Sequence, residues 1–359
     1  MADEIATKAP ESDAMEDTKP LSPVESSPFP GDTPAQSGAS LGLSNVTNLY
    51  KEHCVKDRPT RQYFLSLLLC KSNRMHLLTE IASGQGPSGE ITQLGGVDAY
   101  ISKPNDYPHA PSKLLLLLTG ATGLHSTNNQ IQADKYASEG FLVVMPDMFS
   151  NDPLPGSATY SEEKDPSLIE KLKLRAAETA KSFLADMWLA RQTPEKIMPI
   201  IHKVIEAAKD EFADAVASGG GIYSAGYCLG GRMTLLLAGE KPDTVHWGQQ
   251  VKDEEAGVVK KGPYIKAGAI AHATLVGNED WEGTKAPLSF VCVEDDQLFS
   301  DEVQEIGKKY MSENNVEHEF KTYSGVPHGF GVVGDYEALN IKQAQAEAYD
   351  QMVAWLKAH

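Results

Sequence analysis

A cysteine lies between glycines in Gly226-Tyr227-Cys228-Leu229-Gly230-Gly231. A G-x-C-x-G run between an apolar strand pattern and a helix pattern is the sulfur version of the turn that exposes a nucleophile above a sheet. The chemistry requires these residue types. The turn is tight, so the residues two before and two after the nucleophile must be small. A helix beginning behind the sulfur favours negative charge, which lowers a thiol pKa and stabilises a developing oxyanion. The backbone N–H of Leu229 is then placed to donate to that oxyanion. The competing use of the same residues is a buried cysteine at a close strand–helix contact.

A thiol nucleophile of this kind needs a base, and the base needs an orienting acid, in the chain order acid then histidine. The histidines downstream of Cys228 are His246, His272, His318, His328 and His359. His328 lies in Ser324-Gly325-Val326-Pro327-His328-Gly329-Phe330, just past an apolar strand pattern, where catalytic groups of α/β sheets gather. His272 ends the run AIAHAT and is its main competitor; we expect it to support the pocket. Three carboxylates, Glu294, Asp295 and Asp296, follow the run PLSFVCV. Alternation along a strand end puts Glu294 and Asp296 on one face and Asp295 on the other. Asp296 reaches furthest into the loop and is the first choice as the acid that holds the histidine tautomer.

These residues need a scaffold, and the pattern from Glu90 onward supplies one. Ile91–Leu94 and Val97–Lys103 flank Gly95-Gly96 and read as a β-hairpin. Lys113–Thr119 and Phe141–Pro146 are continuous apolar runs, as expected for strands buried on both faces of a parallel sheet. Further strands are expected at Gly221–Gly226, Ala267–His272, Pro287–Val293 and His318–Tyr323. Helices are expected at Asn128–Gly140, Pro166–Arg191, Pro194–Ala217, Leu229–Gly239, Ser300–Asn314 and Tyr336–Ala358. Strands alternating with helices predict an α/β fold with a mostly parallel central sheet and helices on both faces.

Composition limits the function. The 359 residues carry 32 basic against 50 acidic side chains, a net charge of −18. Such a chain is repelled by phosphate backbones and anionic membranes, so neither nucleic acid nor membrane is expected as a partner. The four cysteines (Cys54, Cys70, Cys228, Cys292) are too sparse for a disulfide framework and lack C-x-x-C spacing, so no metal site is expected. Reduced thiols point to the cytoplasm. The N-terminus has no basic region followed by an apolar run, so no secretory signal is expected. No apolar run approaches the ~20 residues that span a bilayer.

Residues 1–45 are proline-rich and acidic; Met1–Ser40 hold eight acidic residues against two lysines. With almost no apolar periodicity, this segment reads as a disordered acidic tail. Residues 46–86 read as an irregular lead-in. Within it, 61–86 (RQYFLSLLLCKSNRMHLLTEIASGQG) is locally basic and leucine-rich, unlike its neighbours, and reads as an extra helix or insert. The catalytic domain is expected to occupy 87–359.

The segments GYCLGG, EDDQLF and VPHGF, in this order, resemble the dienelactone hydrolase family. The resemblance extends over roughly Gly86–His359. It includes GEITQLGGVDAYISKP and NNQIQADKYASEGFLVVMPDMF, which are especially similar to the fungal branch. It implies the α/β-hydrolase fold and a Cys-His-Asp triad that hydrolyses lactones, esters and sometimes thioesters without a metal or organic cofactor. Residue by residue, it implies Cys228 as nucleophile, Asp296 as orienting acid and His328 as general base. It also implies that the Leu229 and Ala121 N–H groups form the oxyanion hole. The sequence CVKDRPT in similar proteins runs almost directly into a P-x-G-E-I-like stretch, so 61–86 interrupts that join. The pattern departs from the family at two places. The family commonly has a carboxylate where this chain has Gly120, leaving direct pairing of Cys228 with His328 to activate the thiol; nearby His125 reads as a surface residue. Members often carry arginine four or five residues after the histidine, where this chain has Val332 and Val333. The substrate is therefore expected to lack a carboxylate. Two other readings share the fold: a catalytically weak ligand-binding relative and a redox-sensing thiol protein.

Overall fold

The computed structural model describes residues 86–154, 187–242, 260–334 and 336–359. The acidic tail, the lead-in with its insert, and the expected helix at Pro166–Arg191 lie outside the described residues, apart from Gly86 and a helical stretch at 187–191.

The hairpin around Gly95-Gly96 forms β1 (Glu90–Leu94) and β2 (Val97–Ser102). Next come β3 (Lys113–Leu118), α1 (Thr127–Ser138) and β4 (Phe141–Pro146). The expected single helix from Pro194 is two, α2 (Pro194–Glu211) and α3 (Ala213–Gly219). They part at Phe212, whose φ of −122° and ψ of 41° leave helical geometry as its ring enters the core. Then follow β5 (Ile222–Tyr227), α4 (Leu229–Leu237) and a two-stranded ribbon of β6 (Lys241–Pro242) and β7 (Lys260–Lys261). The chain continues through β8 (Ala267–Ala271), a 3₁₀ turn (Asn278–Trp281), β9 (Leu288–Val293) and α5 (Asp301–Glu313). It ends with β10 (His318–Tyr323) and α6 (Leu339–Ala358).

Eight strands form one sheet in the order β1-β2-β4-β3-β5-β8-β9-β10. Pairing is parallel from β4 to β10 and antiparallel only where β1 and β2 extend the edge. The central strands are apolar because both faces are covered. Leu114, Leu116 and Leu118 of β3 face a core shared with α2, α4 and Met311 of α5. Leu115 and Leu117 face a second core shared with Tyr136 of α1 and Tyr349 and Met352 of α6. The parallel strands therefore point their carboxyl ends to one edge, between two helical layers.

Candidate active site

The turn that bears the candidate nucleophile is built by close approach. Cys228 follows β5 with φ 55° and ψ −117°, a sparsely populated conformation for a side chain with a Cβ. A Cβ on Gly226 would collide with the Thr234 hydroxyl and the Gly230 carbonyl, and one on Gly230 with the Leu118 carbonyl. Only glycine lets α4 start directly behind the strand. The turn is also tied to its neighbours: Gly230 N–H donates to Thr119 O at 3.1 Å, and Cys228 N–H donates to Ala271 O at 3.1 Å.

The three triad candidates come together from three strand ends. His328, just past β10, sits 2.7 Å from Asp296 through Nδ1 and Oδ2. Asp296, past β9, is buried and accepts a second bond from Leu298 N–H at 3.0 Å through Oδ1. Glu294 and Asp295 are both exposed. The expected alternation of these carboxylates fails because β9 ends at Val293 and the chain turns at Asp295, whose φ is 55°. Burial alone would disfavour a His328 imidazolium. The charge and hydrogen bond of Asp296, then the hydrogen bond and charge of Cys228, outweigh it and raise His328 to about 10.

One contact has no counterpart in the sequence reading. Thr274 Oγ1 lies 3.2 Å from Cys228 Sγ and 3.1 Å from His328 Nε2. The sequence offers one signal for it: AIAHAT runs off a strand end beside the strand that leads into Cys228, and Thr274 lies two residues past His272. His272 itself is buried, with φ 38°, and its ring packs against His328 at a centroid distance of 4.9 Å. Asp296 is hydrogen-bonded to His328, and His272 serves as its packing neighbour.

Gly120 and Ala121 follow β3, in a turn held from three sides. Leu154 N–H donates to Ala121 O at 3.0 Å, Gly123 N–H to Gly120 O at 3.2 Å, and Asn129 Nδ2 to Gly123 O at 2.7 Å. A Cβ at Gly120 would stand 3.2 Å from Cys228 Cβ and 3.7 Å from its sulfur, so a side chain there would face the thiol. His125 is exposed and bonds Asn151 Oδ1 at 2.9 Å. Beyond His328, Val332 and Val333 are half-buried. Their backbone is fixed by Gln132, which accepts from Val333 N–H at 3.0 Å, and by Gln345, which donates to Val332 O at 2.6 Å. Arg191 and Arg232 are the arginines among the described residues, and both are ion-paired, with Asp152 and Asp280. Among the described residues no cluster of His, Cys, Asp and Glu is suited to holding a metal, and no helix is long and apolar enough to cross a membrane.

A mostly parallel sheet between helical layers, with a strained cysteine turn and an acid–histidine pair on its carboxyl edge, defines an α/β-hydrolase fold; the protein is a hydrolase acting on esters or lactones. The dienelactone hydrolase family model matches residues 97–359, and the chain belongs to that family. It is 24% identical to hydrolase pyvD of Aspergillus violaceofuscus, over 76% of this chain and 90% of that protein. It is 30% identical to dienlactone hydrolase 1 of Gibberella moniliformis, over 68% of this chain and 77% of that protein. Among solved structures, a putative dienelactone hydrolase from Klebsiella pneumoniae shares the fold, with a TM-score of 0.54 at 16% identity, over 76% of this chain and 99% of that one.

Proposed function

We propose that the protein hydrolyses a neutral lactone or carboxylic ester through an acyl-thioester on Cys228. The observation that carries this reading is the buried chain of contacts from Asp296 through His328 and Thr274 to the Cys228 sulfur. In this reading, the Cys228 thiolate attacks the carbonyl carbon. The carbonyl oxygen becomes an oxyanion held by the Leu229 and Ala121 backbone N–H groups, each worth about 3–4 kcal/mol of transition-state stabilisation in comparable sites. The carbonyl re-forms, and the leaving alkoxide takes a proton from the His328 imidazolium. Neutral His328 then takes a proton from water, and the resulting hydroxide equivalent attacks the thioester. Collapse releases the carboxylic acid and returns the thiolate–imidazolium pair. Asp296 keeps the ring oriented and stabilises its cationic form. No cofactor is needed.

Two observations favour a substrate without a carboxylate. Val332 and Val333 stand where the family often has arginine, and Arg191 and Arg232 are already paired. We assign the catalytic domain to 87–359, with the acidic tail and the insert as additions to it, and a cytoplasmic setting that keeps Cys228 reduced. A role in the catabolism, detoxification or secondary metabolism of aromatic-derived compounds fits a fungal-type member of the family. The test is turnover of a panel of neutral and carboxylate-bearing lactones and activated esters by wild type, Cys228→Ala and His328→Ala. Wild type should hydrolyse neutral compounds, and both variants should lose nearly all activity. A Cys228→Ala protein as fast as wild type would overturn the mechanism. A wild type that turns over nothing would leave the ligand-binding or redox-sensing reading.

A further inference from the structure

We infer that the Thr274 hydroxyl holds the Cys228–His328 ion pair in register and gives the proton a relay path beside the direct Cys228–His328 hydrogen bond; the inference rests on the reading of Cys228 as nucleophile. The Thr274 hydroxyl is fully buried and touches the two reacting atoms, sulfur at 3.2 Å and Nε2 at 3.1 Å. A hydroxyl carries one donor and two lone pairs, so it can accept from one neighbour while donating to the other. Both protonation states of the pair satisfy it. In the neutral pair, the thiol donates to Oγ1 and the hydroxyl donates to Nε2. In the ion pair, Nε2–H donates to Oγ1 and the hydroxyl donates to the thiolate. The two states interconvert by a double shift: the S–H bond breaks, its proton joins Oγ1, and the hydroxyl's own proton moves to Nε2. One proton has passed from sulfur to nitrogen, the electron pair of the S–H bond stays on sulfur, and the threonine is unchanged.

The backbone fixes this relay to the nucleophile. Thr274 N–H donates to Cys228 O at 3.2 Å, and Cys228 N–H donates to Ala271 O at 3.1 Å, so the β8 end and the cysteine turn hold each other. A β-branched side chain on such a tether has few χ1 choices. A threonine serving only the local fold would bond a backbone carbonyl nearby; this one bonds a sulfur and an imidazole supplied by two other strand ends. Among the described residues, the groups facing the pair include Asp296 behind His328 and the His272 ring beside it, with Tyr227 against His272. Glu294 and Asp295 point to solvent.

The test reads the Cys228 thiolate directly, without a substrate. Thiolate ultraviolet absorbance is titrated for the full chain, and the signal of the matching Cys228→Ser protein is subtracted to remove the other cysteines. Loss of one charge-assisted hydrogen bond should raise the Cys228 midpoint by about one unit in Thr274→Val and in Thr274→Ala. With any ester that wild type hydrolyses, kcat should fall about tenfold with KM unchanged, as for loss of a proton-transfer partner. Thr274→Ser should restore the wild-type midpoint and rate. Using two hydroxyl-free variants keeps the test valid if Val or Ala misfolds. A wild-type midpoint in the variants would overturn the relay while leaving Cys228 as nucleophile. A wild type with an ordinary thiol midpoint would overturn the nucleophile reading as well.

Discussion

A thiol attacks carbonyls at neutral pH when a neighbour carries its proton. In the proposed mechanism His328, raised to about 10 despite its burial, is that neighbour for Cys228. Cys292 shows the contrast: burial pushes its thiol up to about 12, so it stays protonated and inert. Cys228→Ala should therefore lose about 10⁴-fold or more in kcat, while Cys292→Ala keeps it, measured with one neutral ester. The pH profile follows from the sign of the His328 shift. In the proposed mechanism its imidazolium is the proton source for the leaving group and persists up to about 10, so kcat/KM should hold a plateau through neutral pH and decline as pH rises past that value. A decline already complete near the ordinary histidine range would contradict the pairing. Cys228, Asp296 and His328 were legible in the sequence as candidates because each sits in a short motif just past an apolar run. Thr274 was not, since a threonine two residues past a strand becomes informative only when the fold brings two other strand ends to it. The failed alternation at Glu294 has the same origin: period-two reasoning stops where the strand does.

At the scale of elements, the strands were legible and the joints less so. Apolar runs at 113–118, 141–146 and 288–293 are strands because central parallel strands are covered on both faces. The break at Phe212 carries no glycine or proline signal, and the 3₁₀ turn at Asn278–Trp281 is too short to leave a periodic pattern. That turn is held to α4, the helix behind Cys228, by Arg232. Its Nε lies 2.7 Å from Asp280 Oδ2, an oxygen that also accepts from Gly277 N–H at 2.7 Å. Asp280→Ala leaves a largely buried guanidinium without its partner and should destabilise the protein by about 3 kcal/mol or more, read as a shift in the denaturation midpoint. Gly230→Ala should be worse, since its new methyl meets backbone of β3 that cannot move aside. We expect little folded Gly230→Ala protein by circular dichroism.

For the whole molecule, the net charge bears on the proposed neutral substrate. The chain carries −18, and its described arginines are engaged in ion pairs. Carboxylate-bearing lactones should show a higher KM than neutral ones of the same ring, and added salt should narrow the gap by screening the protein's field. A preference for the carboxylate compounds would contradict the neutral-substrate reading. The central claim is covalent catalysis by Cys228, and the most direct measurement is rapid quenching of wild type with excess neutral activated ester, followed by peptide mass spectrometry. The account predicts an acyl adduct on the Cys228 peptide that forms during turnover, disappears when substrate is exhausted, and is missing in Cys228→Ala. Steady hydrolysis by Cys228→Ala, or an adduct on a different residue that turns over at the steady-state rate, would contradict it.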